Sequence, residues 1–273
     1  MAVRGGFPLD MNDERQTMND IGDTKTARSH RPQALPLDIL YEDDHLLAVN
    51  KQPGIVVHPA YKHPDGSVFN ALLWHLQETG VHPHLLQRLD RQTSGVMLVS
   101  KSAAAHARVI RAMRLPPPAG LRKEYLAVVH GVPEPPTGEI RCRLGRDPAD
   151  TRRVVVSETE GKDSTTRYAR LSCSPAGDLS LVHCELVTGR MHQVRVHLAS
   201  RGWPIVGDDV YAALPPRACH GMTRQALHAW RVSLPHPITN APLVITAPIP
   251  EDMARLLAET GLDTGETPVP LGR

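Results

Sequence analysis

The tripeptide Arg88-Leu89-Asp90 sets an acid beside a base on a short apolar step, and it is the first candidate for chemistry in this chain. The polar residues that follow end in Ser94-Gly95, a dipeptide typical of turns. A carboxylate just before a strand lies at the edge of an element, where a rigid scaffold can hold it toward a ligand. Asp90 is therefore a candidate catalytic residue, although an isolated tripeptide of this kind more often holds a turn residue paired with its own arginine.

Two further groups of residues have types that suit catalysis or substrate binding. Tyr125 stands two residues after Lys123 in an apolar strand pattern, where a tyrosine is ordinarily a core or edge residue. A polar cluster later in the chain contains Arg190, His192, Gln193, Arg195 and His197. Its two histidines do not have the HExxH spacing of a zinc-binding helix, so the sequence favours no metal site.

Hydrophobic periodicity predicts the elements that must hold these residues. Val96 to Ser100 alternates as a strand, and Lys123 to Gly131 reads as a strand that ends in a turn. Val194 and Leu198 are one helical turn apart, which predicts a helix over His192 to Ser200. The other predicted elements are helices at Ser67–Leu76, Ser102–Arg114 and Glu251–Thr260, strands within Leu37–Tyr41, His45–Val49 and Leu179–Val187, closing strands between Leu227 and Pro248, and a loop-rich segment at Glu134–Asp163.

Three motifs, in this order, resemble those of the RluA-type pseudouridine synthases. The first runs from Arg88 to Lys101 as Arg-Leu-Asp, two variable residues, Thr-Ser-Gly, an apolar strand and Lys. The second is Lys-x-Tyr with its strand, and the third is Gly-Arg-x-His-Gln-aliphatic-Arg-x-His, which begins at Gly189. A Gly-x-Pro-Ile-x-Gly-Asp segment follows from Gly202 to Asp208. Inside the first motif, Gln87 replaces the histidine that the family usually has.

The resemblance covers about Leu37 to Pro250 and implies an α+β pseudouridine synthase fold. That fold has a mixed, mostly antiparallel sheet with flanking helices and a central catalytic cleft. Residues 36–250 are predicted to form the catalytic domain. Residues 1–35 are predicted to be a disordered tail because they are poor in aliphatic residues and mix charges of both signs, and residues 251–273 a short helix and tail.

The resemblance also implies the activity, which is isomerisation of uridine to pseudouridine in structured RNA, either tRNA or rRNA, with the target base flipped out. It makes Asp90 the catalytic aspartate, Arg195 the basic residue that pairs with this aspartate, and Tyr125 the aromatic residue whose ring stacks on the target nucleobase. The residues predicted to bind substrate are Arg88, Arg190, His192 and Gln193. Neither a metal nor an organic cofactor is implied.

Two other functions stay open from the sequence. Because Gln87 replaces the usual histidine, one alternative is an RNA-binding protein of the same fold that has lost catalysis. An unrelated hydrolase with a Ser-His-Asp set is the third candidate, but the chain shows no nucleophile elbow. Retention of Asp90, Tyr125 and Arg195 together favours the synthase.

Composition sets the remaining expectations. The 273 residues are 41% hydrophobic and carry a net charge of +2, so they suffice for a substantial core. Basic residues concentrate from Lys101 to Lys123, a stretch without an acid, which suits a polyanionic partner. No apolar run approaches a membrane span and no signal peptide is visible. Four cysteines without CxxC spacing fit a reducing cytosol, so the sequence predicts a cytoplasmic, monomeric protein.

Overall fold

The computed structural model describes residues 31–59, 64–115, 120–150, 153–211 and 218–265. Most of the predicted N-terminal tail, most of the proline-rich segment Leu115–Gly120 and the last eight residues therefore lie outside the described residues. The end of the predicted tail that is described makes specific contacts. Gln33 donates a side-chain hydrogen bond to Asp65 and accepts one from the backbone of Gly66.

Eleven strands form one sheet within the described residues. Every adjacent pair is antiparallel except β4 and β10, so the mixed, mostly antiparallel sheet predicted for the fold is confirmed. The order is β1-β2-β4-β10-β5-β9-β8-β6-β7, with β3 beside β4 and β11 beside β10. The strands are β1 Ile39–Glu42, β2 Leu46–Lys51, β3 His84–Leu85, β4 Ser94–Ser100, β5 Arg122–His130, β6 Thr137–Arg146, β7 Val154–Ser157, β8 Lys162–Cys173, β9 Leu179–Leu186, β10 Leu227–Pro235 and β11 Pro242–Thr246.

Four α-helices lie within the described ranges, and their ends follow local sequence signals. The α-helices are α1 Val68–His75, α2 Ala103–Ala112, α3 Gln193–Ser200 and α4 Glu251–Thr260. Ser67 and Ser102 act as the predicted N-caps, each accepting a hydrogen bond from a backbone N–H in the first turn. All four predicted helices are therefore confirmed, to within one or two residues at their ends.

Strand β4 lies at the centre of the fold because both of its faces are buried. Met97 and Val99 pack into the larger core with α1, α3 and α4. Val96 and Leu98 point the other way, into a second core under α2. The alternation seen in the sequence thus separates two cores, as successive side chains of a strand point to opposite faces. A residue just before β4 is consequently held by a strand that cannot shift.

Ser94-Gly95 is not the turn that the sequence suggested, because both residues belong to β4. Gly95 pairs with Ala229 of the parallel strand β10 and has φ +112°. A Cβ atom built on Gly95 would lie 2.1 Å from the Ala229 carbonyl oxygen. Glycine is required here because β10 approaches so closely, which is a tertiary contact. In the sequence the same Ser-Gly pair looks like a local turn.

The prediction that Glu134–Asp163 is mostly loop is wrong, because this segment forms β6, β7 and the start of β8. In β6 the buried positions Ile140 and Leu144 alternate with exposed arginines at Arg141 and Arg143. Strands at the end of a sheet keep one polar face, so their average hydrophobicity resembles that of a loop.

Helix α4 belongs to the main packing unit. Met253, Leu256 and Leu257 are buried in the same core as β4 and β5. Asp252 of α4 forms two hydrogen bonds with the guanidinium of Arg224, at 2.6 and 2.7 Å. The boundary predicted at residue 250 therefore does not separate two packing units.

Candidate active site

Asp90 lies in the loop between β3 and β4, where its side chain keeps 23% of its exposure. The loop is held on both sides by backbone contacts. Lys51 donates to the carbonyl of Arg91 at 2.9 Å, and the backbone N–H of Gly54 donates to the same oxygen at 2.9 Å. From the other side, Arg224 donates to the carbonyl of Gln92 at 3.1 Å. The Asp90 carboxylate is thus reachable while its backbone is fixed.

Arg195 of α3 contacts Asp90, and the sequence had predicted this pair across 105 residues. Its Nη1 donates to Asp90 Oδ2 at 3.1 Å. The two parallel hydrogen bonds expected for such a pair go elsewhere: Nε and Nη2 donate to Asp208 at 2.7 and 2.9 Å. Asp208, whose side chain is fully buried, holds the guanidinium and leaves one N–H group for Asp90.

Asp208 largely determines the protonation of the pair that it forms with Arg195. Burial alone would lower the pKa of Arg195, but the hydrogen bonds and charge of Asp208, and then those of Asp90, raise it. Burial would likewise raise the pKa of Asp208, but Arg195 outweighs burial and lowers it. Both groups are therefore charged at every physiological pH. Sequence reasoning missed Asp208, although it closes the quoted Gly-x-Pro-Ile-x-Gly-Asp segment.

Tyr125 projects from β5 into the same site and is 7% exposed. Burial, and secondarily the negative charge of Asp90, raise the pKa of its hydroxyl well above the ordinary value. The hydroxyl consequently stays protonated at neutral pH and is a potential proton donor. The electrostatic influence of Asp90 on this hydroxyl places the two groups in one neighbourhood, which suits a planar ligand held beside a carboxylate.

His192 stands at the N-terminus of α3 in a left-handed conformation, with φ 54°. Its Nδ1 is 2.8 Å from the hydroxyl of Tyr211, and its Nε2 is 3.8 Å from Asp90 Oδ1. The Tyr211 hydroxyl also accepts a hydrogen bond from the backbone N–H of Val154, at 2.9 Å. Burial lowers the pKa of His192, while Asp90 opposes the shift. His192 is thereby aimed at the carboxylate.

Tyr211 is the second site residue that sequence reasoning missed. Besides its hydrogen bond to His192, its ring lies under the guanidinium of Arg195, with 5.1 Å between the carbon Cζ and the ring centroid. It follows Asp208 by three residues, and its backbone N–H donates to the Asp208 carboxylate at 3.0 Å. The residues that follow the third motif therefore form one wall of the site. Tyr211 could have been found in the sequence as an aromatic residue three positions after the end of the Gly202–Asp208 segment.

Lys51 is an unusual neighbour of Asp90, because its side chain is only 2% exposed. Its ammonium donates to two carbonyls, of Gln52 and Arg91, both at 2.9 Å. Burial lowers the pKa of Lys51 to about 7, with the charge of Asp90 opposing the shift. Lys51 ties the end of β2 to the loop that carries Asp90.

Of the other residues predicted to bind substrate, two arginines are exposed and one glutamine is buried. Arg88 and Arg190 are exposed near Asp90 and His192 respectively, so both are accessible to a ligand. Gln193 is 2% exposed and turns inward. Its amide accepts from the backbone of Arg190 and the hydroxyl of Thr188, and donates to the carbonyl of Thr165 and the hydroxyl of Thr166. Gln193 therefore holds the loop to β8, with its amide oxygen and nitrogen both bonded within the protein, and its contact with substrate stays a prediction.

Gln87, the departure within the first motif, contacts the backbone and does not contact Asp90. Its Nε2 donates to the carbonyl of Val96 at 2.9 Å, while its Oε1 is buried without a hydrogen-bond partner in the described part of the chain. This hydrogen bond ties the residues just before Asp90 to strand β4. A neutral donor suffices for that task.

The site offers acid-base groups and no metal-binding set. In the ranges that the structure describes, no three His, Cys, Asp or Glu side chains are grouped as a metal ion requires. None of the described helices has both the length and the apolar character needed to cross a membrane. What the site does offer is a fixed, reachable carboxylate beside a protonated phenol, which can act on a substrate that places a ring between them.

Comparison with known proteins agrees with this chemistry. The family described as RNA pseudouridylate synthase matches residues 45–200. The ribosomal large subunit pseudouridine synthase D of Nitrosomonas europaea is 39% identical over 243 residues, which cover 86% of this chain and 69% of that protein. The uncharacterized RNA pseudouridine synthase YjbO of Bacillus subtilis is 36% identical over 267 residues, covering 93% and 90%. Among solved structures, human RNA pseudouridylate synthase domain containing 1 superposes with a TM-score of 0.63 at 26% identity, covering 79% of this chain and 84% of that one.

Proposed function

The chain belongs to the RNA pseudouridylate synthase family, and from that premise we propose that it isomerises uridine in ribosomal RNA with Asp90 as its catalytic carboxylate. The observation that carries the proposal is the shared guanidinium of Arg195. Asp208 holds Arg195 with two hydrogen bonds, and Arg195 in turn holds Asp90, the only one of the two carboxylates that a substrate can reach. An active enzyme is thereby favoured over a degenerate RNA-binding protein.

The reaction sets the requirements that these residues meet. The bond from the ribose C1′ to the base N1 breaks, a bond from C1′ to C5 forms, the C5 proton leaves and N1 gains a proton. No atom is gained or lost overall. Because its carboxylate is reachable, Asp90 can act either as a nucleophile toward the substrate or as a base that removes a proton from it. The one hydrogen bond from Arg195 orients the carboxylate without occupying its second oxygen.

Tyr125 and Arg88 have complementary roles in this proposal. The Tyr125 ring stacks on the target base, because every base offers a planar face to an aromatic side chain. Its protonated hydroxyl can donate the proton that N1 gains, while the C5 proton leaves to the Asp90 carboxylate acting as a base. Arg88 is exposed beside Asp90 and fills the space left by the flipped nucleotide or binds its phosphate.

The substrate class is proposed from the relatives. Several of them are named as synthases of the ribosomal large subunit, so large-subunit rRNA is the first candidate and tRNA the second. The protein is proposed to act in the cytoplasm, because four cysteines without CxxC spacing fit a reducing compartment, and to be a monomer. Light scattering on the purified chain tests the monomer.

The experiment maps pseudouridine by chemical labelling in the RNA of cells with and without this protein. We expect at least one uridine of large-subunit rRNA to lose its modification, and purified protein to restore it on a transcript. Asp90→Asn, which is isosteric and removes only the charge, should lower the single-turnover rate by at least about 1,000-fold while changing RNA affinity little. Near-normal turnover by the variant excludes Asp90, and an effect confined to tRNA excludes the ribosomal substrate.

A further inference from the structure

Lys123 lies in the site without a role in the chemistry above. It is the second residue of β5, two positions before Tyr125, so the two side chains emerge from the same face of the strand about 7 Å apart. The ammonium covers Gly189, since a Cβ atom built on that glycine would come within 2.9 Å of Lys123 Nζ. Gly189 leads directly into Arg190 and then His192. Lys123 therefore connects the wall formed by Tyr125 to the loop that enters α3.

The charge of Lys123 has no counterpart in the described part of the chain. No hydrogen bond or ion pair to its ammonium is present there, and the charged group that influences its pKa is the cation Arg190. Burial, and then the positive charge of Arg190, lower the pKa of Lys123. Both effects disfavour the charged form of the Lys123 side chain in the folded protein. Burial removes water from the ammonium, and the positive charge of Arg190 repels it.

Several other sheltered cations in the described ranges have acceptors, which makes Lys123 an exception to explain. Arg195 binds Asp208, Arg224 binds Asp252, and Arg231 binds Glu124 through two hydrogen bonds. Lys51 donates to two carbonyls. An ammonium kept beside a second cation, half-buried and without an acceptor, is poised for an anion from outside.

We propose that Lys123 and Arg190 form a binding site for a phosphodiester next to the target nucleotide. The proposal rests on the proposed function, because it takes the ring held on Tyr125 as the base of that nucleotide. A separation of about 7 Å along β5 is within the reach of one nucleotide from its base to a neighbouring phosphate. Arg190 is exposed and offers a planar fork that matches phosphate oxygens, while Lys123 supplies a point charge from the floor. Contacts of this kind fix the register of an RNA without reading its sequence.

The competing role for Lys123 is purely structural, with its aliphatic stem covering Gly189 and Tyr125. Lys123→Met separates the two roles, because it keeps an unbranched apolar stem and removes the charge. If the lysine acts only through its stem, this variant should keep both its melting temperature and its RNA affinity. A phosphate ligand predicts an unchanged or higher melting temperature, since an unpaired charge has been removed, together with weaker RNA binding.

The test measures RNA affinity on a synthetic hairpin that carries the mapped uridine, in the Asp90→Asn background so that nothing turns over. One hairpin is unmodified, and others carry a single neutral methylphosphonate at each linkage that flanks the target. Lys123→Met should weaken binding roughly tenfold, the effect of losing one charge-assisted contact. It should also lower the salt dependence of log K by about 0.7. One of the neutral linkages should weaken the parent protein equally and add nothing to Lys123→Met.

Lys101→Met is the matched control, because Lys101 is a sheltered lysine paired with Glu42 at the start of α2. It should bind every hairpin as the parent does. The proposal is overturned if Lys123→Met binds normally, or if its loss and that of each neutral linkage simply add. Failure of the proposed function has a different signature: wild-type protein then isomerises none of the hairpins, whatever the coupling between Lys123 and the linkages.

Discussion

Arg195 shows how two carboxylates of unequal exposure divide one guanidinium. Asp208 is fully buried and takes two of its hydrogen bonds, whereas Asp90 is partly exposed and takes one. The buried partner therefore sets the position of the arginine, and the arginine sets the position of the exposed carboxylate. Asp208 is a positioning residue in this arrangement, because it acts on the substrate only through Arg195.

Replacement of this partner gives the first prediction at the residue scale. Asp208→Asn leaves the shape of the side chain but removes the charge opposite a buried guanidinium, which costs on the order of 3 kcal/mol of folding stability. We expect the single-turnover rate to fall by roughly 10- to 100-fold while RNA affinity changes little. Rapid-quench kinetics and denaturant unfolding measure the two effects. A normal rate in a folded variant would show that Arg195 needs no second carboxylate.

Gln87 supports a second prediction at this scale. Because its amide contacts the Val96 carbonyl and not Asp90, a neutral imidazole can replace it. Gln87→His should be nearly silent at pH 8, within about twofold in rate, and should gain nothing toward pH 6.5, where histidine ordinarily titrates. The check is a pH–rate profile of wild type and variant on one RNA. A large gain at low pH would mean that a protonatable group is wanted here and that wild type is impaired.

Strand β5 serves two different networks through its two faces. Tyr125 and Lys123 face the site, whereas Glu124 faces the opposite side and is 2% exposed. Glu124 accepts hydrogen bonds from Arg231 of β10 and lies 3.1 Å from His183 of β9. This network links β5 to both of its neighbours, so the strand that carries Tyr125 is fixed from behind.

The acid sensitivity of this network is a prediction at the element scale. Burial alone would raise the pKa of Glu124, but hydrogen bonds from His183 and Arg231 outweigh it and lower the pKa from 4.5 to about 2. The unfolded state therefore takes up the proton first, and stability present above pH 4.5 is lost as the pH falls toward 2. This contribution is on the order of 2–3 kcal/mol.

Urea unfolding of wild type and Glu124→Gln between pH 6 and pH 3 measures this contribution. The variant should be less stable at pH 6, and the gap between the two proteins should shrink on acidification. Glu259→Gln, at an exposed position of α4, is the control and should follow wild type throughout. A gap that stays constant with pH would contradict the lowered pKa of Glu124.

At the scale of the whole molecule, the basic stretch of the sequence separates into unrelated surfaces. Lys101 pairs with Glu42, and Arg122 pairs with Glu185. Arg108 donates to the carbonyl of Pro237, whereas Lys123 enters the site beside Arg190. A run of like charges along the chain is therefore not one patch in space, and the RNA-facing surface has to be taken from the fold.

Truncation tests how the N-terminal segment joins the rest of the molecule. The sequence predicted a disordered tail over residues 1–35, whose removal would change folding little. Gln33 and the Arg31 carbonyl, however, make hydrogen bonds around Asp65, Gly66 and Asn70 at the start of α1. We now expect a chain that starts at Arg31 to be as stable as the full chain, and one that starts at Leu35 to lose about 2 kcal/mol. Equal melting temperatures for the two truncations would show that these contacts contribute nothing.

The sequence by itself determined the features that depend on near neighbours. The caps Ser67 and Ser102 and the alternation along β4 act within a few residues, so they were readable without the fold. Motif spacing also identified the family and brought Asp90, Tyr125 and Arg195 together as candidates.

Only the tertiary structure decided which of these residues touch. The roles of Asp208 and Tyr211, the inward turn of Gln193 and the need for Gly95 depend on segments that meet across the sheet. Asp90 and Arg195 are 105 residues apart, and β4 meets β10 across more than 130. A side chain's partners at such separations depend on how strands register and helices pack, and side chains of the same type can face either the ligand or the core.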